Sequence, residues 1–311
     1  MRPRDRRLAK TINDRLLSFD QNETPLRGIQ NPQVRSVLIE QILESVHRVN
    51  FVSQIRQRQI SNRRADPSNE LFDPLKAAIL QERRGNIDEA FWLVFLFVHF
   101  GRNPKGRWRY AREVYGRLGQ GGRWDWASVS RNPAAFRVWL DANQRNLRRP
   151  GVPGGFGNHR KYQSLSAYSH TGTGAAVQSY VEWVNPPRTH TQLMNSVCAQ
   201  AGNDPQRAFD NLYRSMKAVT SFGRMARFDY LTMIGKLQLA PIEPGFAYLQ
   251  DSTGPLDGAR LLIGRRSRLS ARSLETILVD LNRRLNVGMQ VIEDALCNWQ
   301  KSPRRFVRFR G

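Results

Sequence analysis

The segment Gly154–Tyr162 brings together several side chains that could take part in chemistry. It reads Gly-Gly-Phe-Gly-Asn-His-Arg-Lys-Tyr, so an amide, an imidazole, a guanidinium, an ammonium and a phenol follow one another directly after a glycine-rich turn. Glycines permit positive φ angles and close approach of the backbone to a ligand. These polar and aromatic groups suit phosphates, base edges and base faces. The segment therefore predicts a nucleotide-handling site, whose side chains are Asn158, His159, Arg160, Lys161 and Tyr162.

His159 is the histidine best placed for acid–base chemistry or hydrogen bonding, because it lies on this turn. The neighbouring cations Arg160 and Lys161 favour a neutral imidazole at pH 7. A neutral imidazole can read a base edge or polarise a leaving group. The alternative is a structural role, in which His159 bonds the backbone of the turn. His99, which ends an apolar run, is instead predicted to be a core residue.

The charge of the chain indicates a polyanionic partner. There are 49 Lys and Arg against 26 Asp and Glu, which gives a net charge of +23, and 42 of the 49 cations are arginine. Arginine binds phosphate in a bidentate manner and stacks on bases, so this excess favours nucleic acid. A genome that encodes arginine in place of lysine could explain the ratio of the two residues, but not the net charge. We expect DNA as the partner.

A basic field extends over residues 102–160, where thirteen Lys and Arg accompany only three acids. Its densest part contains Lys105, Arg107 and Arg109, which we expect to bind DNA, and tryptophans and tyrosines are interleaved with the cations. Cations neutralise phosphates, while aromatic rings stack on bases or wedge between them. In the alternative interpretation Trp108, Tyr115 and Trp139 lie in the core at helical spacing and the arginines are solvated.

Two further segments carry candidate groups. On a helix that includes Arg224, Arg227 and Asp229, the aspartate could act as a general base or stabilise a cationic sugar; the alternative is a salt bridge to an arginine. The second segment begins a short helix near Gly254 and contains Arg260. Backbone amides at a helix start can bind phosphate or diphosphate, although an ordinary capped turn has the same sequence.

The sequence indicates no cofactor and no metal. Cys198 and Cys297 lie far apart without a CxxC spacing, which disfavours zinc or a disulfide scaffold and fits a reducing cytoplasm. No P-loop or dinucleotide fingerprint occurs. The basic N-terminus lacks the apolar stretch of a signal peptide, and the run Ala90–Phe100 is too short to span a bilayer. We expect a cytoplasmic protein with no membrane partner.

The elements that must position these groups are helices. Apolar residues at 3–4 spacing predict a helix over Val34–Gln59, and the apolar run predicts a core helix over Ile87–His99. Asn132-Pro133 has the cap and first-turn signature of another helix. Further helices are predicted within residues 108–118, 175–184, 191–201, 205–219, 222–237, 256–262, 270–285 and 287–299. No sustained period-two pattern predicts a sheet, so the expected fold is all-α.

We predict three parts of the chain. A helical N-terminal appendage covers residues 1–75, the main helical domain covers 76–301, and a basic tail covers 302–311. The tail alternates arginine with aromatic residues, which fits added phosphate and stacking contacts as well as a disordered end.

The order of these segments resembles a known family. The series comprises His99-Phe100-Gly101, Phe156–Tyr162, Phe222-Gly223-Arg224 with Arg227-Phe228-Asp229, Thr253-Gly254-Pro255 and Gly258–Leu262. Over roughly residues 75–300 the chain is similar to the alpha-glutamyl/putrescinyl thymine pyrophosphorylases, especially their third clade. The string Phe-Gly-Asn-His-Arg-Lys-Tyr is its most specific part.

The resemblance implies an all-helical fold related to helix-hairpin-helix DNA glycosylases, and action on modified DNA bases. Phage members of the family join an amine to a pyrophosphorylated hydroxymethyluracil in DNA and release diphosphate. Related bacterial proteins resemble anti-phage glycosylases that excise hypermodified bases. Either reaction needs the base flipped out of the helix. The hairpin that precedes the catalytic Lys and Asp of many such glycosylases has only an echo in Pro150–Gly154, which argues against a lyase mechanism.

The leading hypothesis from the sequence is a DNA glycosylase that excises a modified pyrimidine from double-stranded phage DNA and leaves an abasic site. Residues 158–162, Arg224 and Arg260 would hold the flipped nucleotide, and an acid would stabilise the sugar and orient water. The candidate acids, in order, are Asp229, Asp257 and Glu182. The alternatives are a transferase, in which an amine displaces diphosphate from an activated pyrimidine in DNA, and a DNA-binding protein without catalysis.

Overall fold

The protein is all-α, as the sequence predicts. A computed structural model describes residues 3–160, 162–264 and 267–308, and within them no strand forms beyond one isolated bridge between Asn103 and Arg107. The α-helices of the described residues are α1 (Pro3–Asn22), α2 (Pro32–Gln57), α3 (Pro74–Arg83), α4 (Ile87–Phe100), α5 (Arg109–Tyr115), α6 (Trp126–Arg131), α7 (Pro133–Leu147), α8 (Thr173–Val184), α9 (His190–Gln200), α10 (Pro205–Ser215), α11 (Arg224–Lys236), α12 (Gly254–Ile263), α13 (Ala271–Leu285) and α14 (Met289–Trp299).

Local capping chemistry explains where several helices begin. The side chain of Asn132 accepts a hydrogen bond from the Ala135 amide at 2.9 Å, and Pro133 follows it, so the predicted start of α7 is confirmed. Asp73 and Asp204 cap α3 and α10 in the same way, each ahead of a proline. An Asx side chain satisfies an otherwise unpaired amide of the first turn, and proline has no amide to satisfy there.

Helices α1, α3 and α6 were not predicted individually from the sequence, although α1 lies in the appendage that was expected to be helical. In α3 most residues are buried, so apolar residues occur on nearly every face and the sequence shows no helical period. The six residues of α6 are too few to show a period. The predicted helices are present, with bounds that differ by a few residues.

By its internal contacts the chain divides into two compact units, residues 55–243 and residues 1–54 with 244–311. These bounds differ from the domain limits expected at 75 and 301, which remain a prediction. In the unit 55–243, helix α4 is buried on every side over residues 90–96, and α3, α5, α6, α9 and α11 pack against it. Helix α4 is therefore the frame to which the elements of the candidate site are attached.

The other unit has its own apolar core, to which α1, α2, α12, α13 and α14 contribute. The described part of the basic tail belongs to this unit and lies along α2. The side chain of Gln41 donates to the Val307 carbonyl at 3.0 Å, and Arg308 donates to Glu44 at 3.1 Å. The tail is thus hydrogen-bonded to a helix at residues 307 and 308, while its contribution to DNA binding remains a prediction.

Candidate functional site

The glycine-rich turn lies directly on the C-terminal end of α4. The amide of Gly157 donates to the Phe100 carbonyl at 2.8 Å, and the Asn103 side chain donates to the Phe156 carbonyl at 3.1 Å. A Cβ atom on Gly157 would lie 2.9 Å from the Arg102 nitrogen, so only glycine permits this approach. The close contact of two backbones explains why the sequence places glycine at this position.

A buried ion pair holds the start of this turn from the other side. Arg109 pairs with Glu113 at 3.2 Å, and its Nη2 donates to the Leu147 carbonyl at 2.9 Å. Gly154 lies against this guanidinium, because a Cβ on Gly154 would be 2.1 Å from Arg109 Nη2. Arg149 also pairs with Glu113, at 2.9 Å. Arg109 therefore organises the turn; its guanidinium is buried, and its expected contact with DNA stays a prediction.

The polar side chains of the turn face in two directions. Asn158 and His159 are exposed, and Tyr162 is 90% exposed, so these groups can be reached by a large ligand. Arg160 is buried, and its guanidinium bonds within the protein. Lys161, the remaining member of the predicted set, lies outside the described residues. The predicted nucleotide-handling role of the turn thus depends mainly on its exposed members.

Arg160 links the turn to two helices. Its Nε donates to the Val98 carbonyl of α4 at 2.7 Å, and its Nη2 donates to Asp229 Oδ2 of α11 at 2.7 Å. Its Nη1 also donates to the His159 carbonyl at 3.3 Å. A guanidinium with three bonded nitrogens has little capacity left for a phosphate. Arg160 acts here as a buried anchor for the aspartate, and its expected contact with a nucleotide stays a prediction.

Asp229 is the candidate acid that lies beside the turn. It belongs to the second turn of α11, and its side chain is 44% exposed although that of Arg160 is only 8% exposed. Oδ2 is fixed by Arg160, while Oδ1 has no hydrogen-bond partner among the described residues. The salt bridge considered as an alternative from the sequence is therefore present. It occupies one carboxylate oxygen and leaves the other available, so it is compatible with chemistry at Asp229.

His99 is a core residue, as predicted. Its Nε2 lies 2.9 Å from Thr173 Oγ1, and the Thr173 hydroxyl donates its proton to the Ser164 carbonyl at 2.8 Å, so Nε2 is the nitrogen that carries hydrogen. Burial, with a further contribution from the positive charge of Arg160, lowers the pKa of His99 to about 3. His99 is therefore neutral at physiological pH and takes part in packing the end of α4.

The two arginines predicted on α11 are both buried. Arg224 lies over the Phe228 ring, with its guanidinium carbon 5.2 Å from the ring centre, because residues four positions apart share one face of a helix. Arg227 lies 4.2 Å over the Tyr213 ring and donates to the Tyr213 carbonyl at 3.0 Å. These contacts stabilise the packing of α11. Binding of a nucleotide by either arginine stays a prediction.

The other candidate acids have surroundings unlike those of Asp229. Glu182 is exposed on α8, where it accepts a hydrogen bond from Gln178 at 2.9 Å. Asp257 and Arg260 belong to the unit formed by residues 1–54 and 244–311, where they form a half-exposed pair at 3.8 Å. Neither carboxylate is held by a buried cation, so neither has the fixed position of Asp229.

The remaining candidates for binding DNA are two exposed cations and one glycine that packs against a helix. Lys105 and Arg107 are exposed, as contact with DNA requires. Gly254 lies against α14, because a Cβ at this position would be 2.6 Å from Cys297 Sγ. This glycine permits close helix packing, and its expected role in binding phosphate stays a prediction.

Most aromatic residues of the basic field lie in the core. Tyr115 and Trp139 are buried, as in the alternative interpretation, whereas Trp108 is only partly buried. Trp124, Trp126 and Phe136 are buried as well. Tyr115 donates to a glutamate of α4 at 2.6 Å, and the other rings contact one another or the aromatic residues of α4. Of the buried rings and that of Tyr162, only the exposed Tyr162 ring is accessible for stacking on a base, and that role stays a prediction.

A cleft at the opposite end of α4 was not predicted from the sequence. It has a volume of about 510 Å³, and its polar lining includes Asp88, Glu89, Arg123 and Asp125. Glu89 accepts hydrogen bonds from the Tyr115 hydroxyl and from the backbone amide that begins α6, and burial raises its pKa to about 7. In the sequence, only the two acids before the apolar run, Asp88 and Glu89, could have indicated this cleft. Acids at that position are equally typical of a helix N-terminus.

Two features are absent from the described residues. They contain no group of three or more His, Cys, Asp or Glu arranged to hold a metal ion. Nor does any helix of this part of the chain combine the length and apolar character needed to cross a membrane.

The sequence of the chain matches a family model. Residues 33–311 match the model described as alpha-glutamyl/putrescinyl thymine pyrophosphorylase clade 3. No curated protein and no solved structure matches the chain. The match covers both the glycine-rich turn and α11, so the elements that bear Arg160 and Asp229 lie within it.

Proposed function

We propose that this chain, which belongs to the alpha-glutamyl/putrescinyl thymine pyrophosphorylase clade 3 family, is a DNA glycosylase acting on a hypermodified pyrimidine. The family is named for enzymes of a modified thymine, which supports a modified base in DNA as the substrate. The net charge of +23 supports DNA as the polymer that carries the base. The product would be an abasic site, and phage DNA would be the source of such bases, in anti-phage defence.

The observation that carries the proposal is the ion pair between Asp229 and Arg160. One oxygen of the carboxylate is fixed at 2.7 Å by a buried guanidinium, and the side chain remains 44% exposed beside the turn. An aspartate is ordinarily ionised at neutral pH. A fixed negative charge next to a substrate sugar stabilises the positive charge that develops at C1′ when the glycosidic bond breaks, and it costs no reorganisation during the reaction.

The proposed reaction uses few protein groups. The bond between C1′ and the base nitrogen breaks, and its electron pair leaves with the base. Water then forms a bond to C1′, its proton passes to Asp229 Oδ1, and a proton from solvent neutralises the departing base, to which His159 can donate a hydrogen bond. The exposed side chains Asn158, His159 and Tyr162 would hold the flipped nucleotide by hydrogen bonds and stacking. Lys105 and Arg107 would bind phosphates of the duplex.

The family name also favours a second function. A pyrophosphorylase-type transferase would use an amine as nucleophile and release diphosphate from an activated pyrimidine in DNA. Asp229 would then accept the proton of the amine in place of that of water. The ion pair serves either reaction, so the products must decide between them.

Mass spectrometry of small molecules released from DNA tests both functions. The protein would be incubated with DNA that carries glycosylated hydroxymethylpyrimidines, with DNA that carries pyrophosphorylated hydroxymethyluracil plus an amine, and with unmodified DNA. We expect free modified base and abasic sites from the first substrate alone. Diphosphate released only when the amine is present would instead establish the transferase. Release of nothing from any substrate would refute both and leave DNA binding.

Asp229→Asn provides the control for contaminating activity. The change removes the negative charge and keeps the size of the side chain. A matched control is Asp280→Asn on α13, which also removes one carboxylate from a partly exposed aspartate paired with an arginine, Arg283. Activity that is lost in the first variant and kept in the second is due to this protein and requires Asp229.

A further inference from the structure

A row of four polar side chains crosses the interior of the unit 55–243. Asp88 of α4 lies 2.7 Å from His190 Nδ1 at the start of α9, and His190 Nε2 lies 2.8 Å from the Tyr180 hydroxyl of α8. The Tyr180 hydroxyl lies 2.8 Å from the Tyr230 hydroxyl of α11. His190, Tyr180 and Tyr230 are fully buried, and Asp88 at the end of the row lines the cleft.

The hydrogen bonds of the row all point the same way. Burial lowers the pKa of His190. At Asp88 burial favours the protonated form, but the hydrogen bonds from His190 outweigh the effect of burial, so the pKa of Asp88 is lowered. A neutral imidazole therefore faces a carboxylate that can only accept, so His190 Nδ1 donates to Asp88 and Nε2 accepts from Tyr180. Tyr180 has then used its single proton, so its oxygen accepts from Tyr230. Every group has one defined role, which makes the row a satisfied buried network.

The row reaches the candidate site through the neighbour of Asp229 in sequence. Asp229 and Tyr230 are consecutive on α11, and each is connected to α4 by a separate route. Asp229 is connected through Arg160 to a carbonyl near the C-terminal end of α4. Tyr230 is connected through the row to Asp88, in the first turn of α4. Helix α11 is thus held against both ends of the same helix.

We propose that the row Asp88–His190–Tyr180–Tyr230 positions α11 so that Asp229 meets Arg160 and the substrate sugar. This positioning role rests on the function proposed for Asp229, and the four residues do not themselves touch the substrate. A satisfied buried network permits one arrangement of the helices that supply its members and disfavours others.

The aromatic rings around His190 support this role. The Phe91 ring lies 4.8 Å from the imidazole and nearly parallel to it, and the Trp126 ring lies 4.5 Å away at a tilt. Rings packed at these distances leave the imidazole little freedom to rotate. The orientation of the imidazole is therefore fixed by packing as well as by its two hydrogen bonds.

Tyr230→Phe is the most direct test. It removes one hydroxyl from the row and keeps the ring. We expect base release under single-turnover conditions to slow by about 10- to 100-fold, the size of effect that small misplacement of a reacting group produces. DNA affinity should stay within about 2-fold, because phosphate and base contacts are untouched. Tyr115→Phe is the matched control, since it removes a buried hydroxyl bonded to Glu89, away from α11.

A pair of changes at Asp88 tests the other end of the row. Asp88→Asn keeps an oxygen that accepts from His190 and should retain nearly the wild-type rate. Asp88→Ala removes the acceptor and should slow the reaction as Tyr230→Phe does. A purely structural role would make the rate follow thermal stability in all variants. The positioning role is overturned if Tyr230→Phe, at equal melting temperature, is no slower than Tyr115→Phe.

Crystal structures of the wild type and of Tyr230→Phe separate the positioning role from the proposed function. We expect the distance between Asp229 Oδ2 and Arg160 Nη2, 2.7 Å in the wild type, to lengthen in the variant. An unchanged pair would refute the positioning role whatever the reaction is. Absence of any product from the wild-type protein, together with a lengthened pair in the variant, would refute only the proposed function.

Discussion

Asp229 and Arg160 form an ion pair in which the cation is buried and the anion is half exposed. The asymmetry matters because a buried guanidinium cannot be solvated when its partner is removed, whereas the aspartate can. Removing the carboxylate therefore leaves a buried cation without its partner, whereas removing the guanidinium leaves an aspartate that water can solvate. The consequences differ for changes at the two residues.

Arg160→Met should lower the free energy of unfolding by about 1–3 kcal/mol, because it leaves the buried Val98 carbonyl without its donor, while the half-exposed Asp229 can be solvated in place of its lost partner. Arg160→Lys keeps the charge, but its single nitrogen cannot reach both the Val98 carbonyl and Asp229, so its free energy of unfolding should fall by a comparable amount. The free energies of unfolding of both variants are measured by urea denaturation, with circular dichroism as the signal. The control is Arg207→Met, which removes an exposed arginine paired with Asp204 and should change stability by less than about 0.5 kcal/mol. Equal stability of Arg160→Met and Arg207→Met would contradict the anchoring role.

The three candidate acids should differ sharply in activity. Asp229→Asn should reduce the single-turnover rate by about 100-fold or more, because it removes the charge that faces the sugar. Asp257→Asn and Glu182→Gln should stay within about 3-fold of the wild type, since the first lies in a solvated surface pair and the second is bonded to a glutamine on an exposed helix face. Rates measured at saturating protein isolate the chemical step. A loss at Asp257 with retention at Asp229 would move the proposed site to the other unit.

Gly157→Ala should disrupt the turn. The added Cβ would meet backbone atoms of residues 101 and 102 at 2.9 Å, and these cannot move without displacing the end of α4. We expect a loss of about 1–3 kcal/mol in unfolding free energy and a weaker affinity for DNA.

Gly119→Ala is the comparison for this change. Its φ of +76° disfavours alanine by about 1–2 kcal/mol, but no atom lies within 4 Å of the added Cβ, so it should cost stability without moving the turn. A fluorescence-anisotropy titration should show normal DNA binding for Gly119→Ala. Normal binding for both variants would argue against the turn as a DNA contact.

The helices that were predictable from the sequence have a period or a capping signal, because both are local properties. Helix α7 begins at the expected Asn132-Pro133, and the all-α class follows from the same patterns. Helix α3 has no visible period because it is buried on nearly every face. Local rules therefore predict most of the fold and miss the elements whose environment is set entirely by tertiary packing.

The candidate site was predictable only in part. The exposed glycine-rich turn and Asp229 were both identified from residue types. Their connection was not, because Arg160 and Asp229 are 69 positions apart and no local pattern brings them together. A short 3-10 turn such as Asn158–Arg160 also has no period that would show which of its polar residues faces inward. Residue type alone therefore suggested a ligand contact for Arg160, and its three acceptors within the protein became visible only in the structure.

The cleft at the start of α4 predicts a dependence of stability on pH. Burial raises the pKa of Glu89 from 4.5 to about 7, so between these values the folded protein holds a proton that the unfolded chain has released. The contribution of this carboxyl to stability is therefore fully present below pH 4.5 and is lost as the pH rises through 7. Since each factor of ten in proton affinity corresponds to about 1.4 kcal/mol, the full loss is about 3 kcal/mol.

Glu89→Gln isolates this effect, because the amide cannot ionise and its oxygen and nitrogen can bond the α6 amide and the Tyr115 hydroxyl. Urea denaturation of both proteins between about pH 5 and pH 8 should show the wild type losing stability relative to the variant, by about 2–3 kcal/mol over that interval. The buried histidines His99 and His190 contribute to both proteins alike, so they cancel in the difference. A difference that stays constant with pH would show that Glu89 is ionised in the folded protein throughout this range.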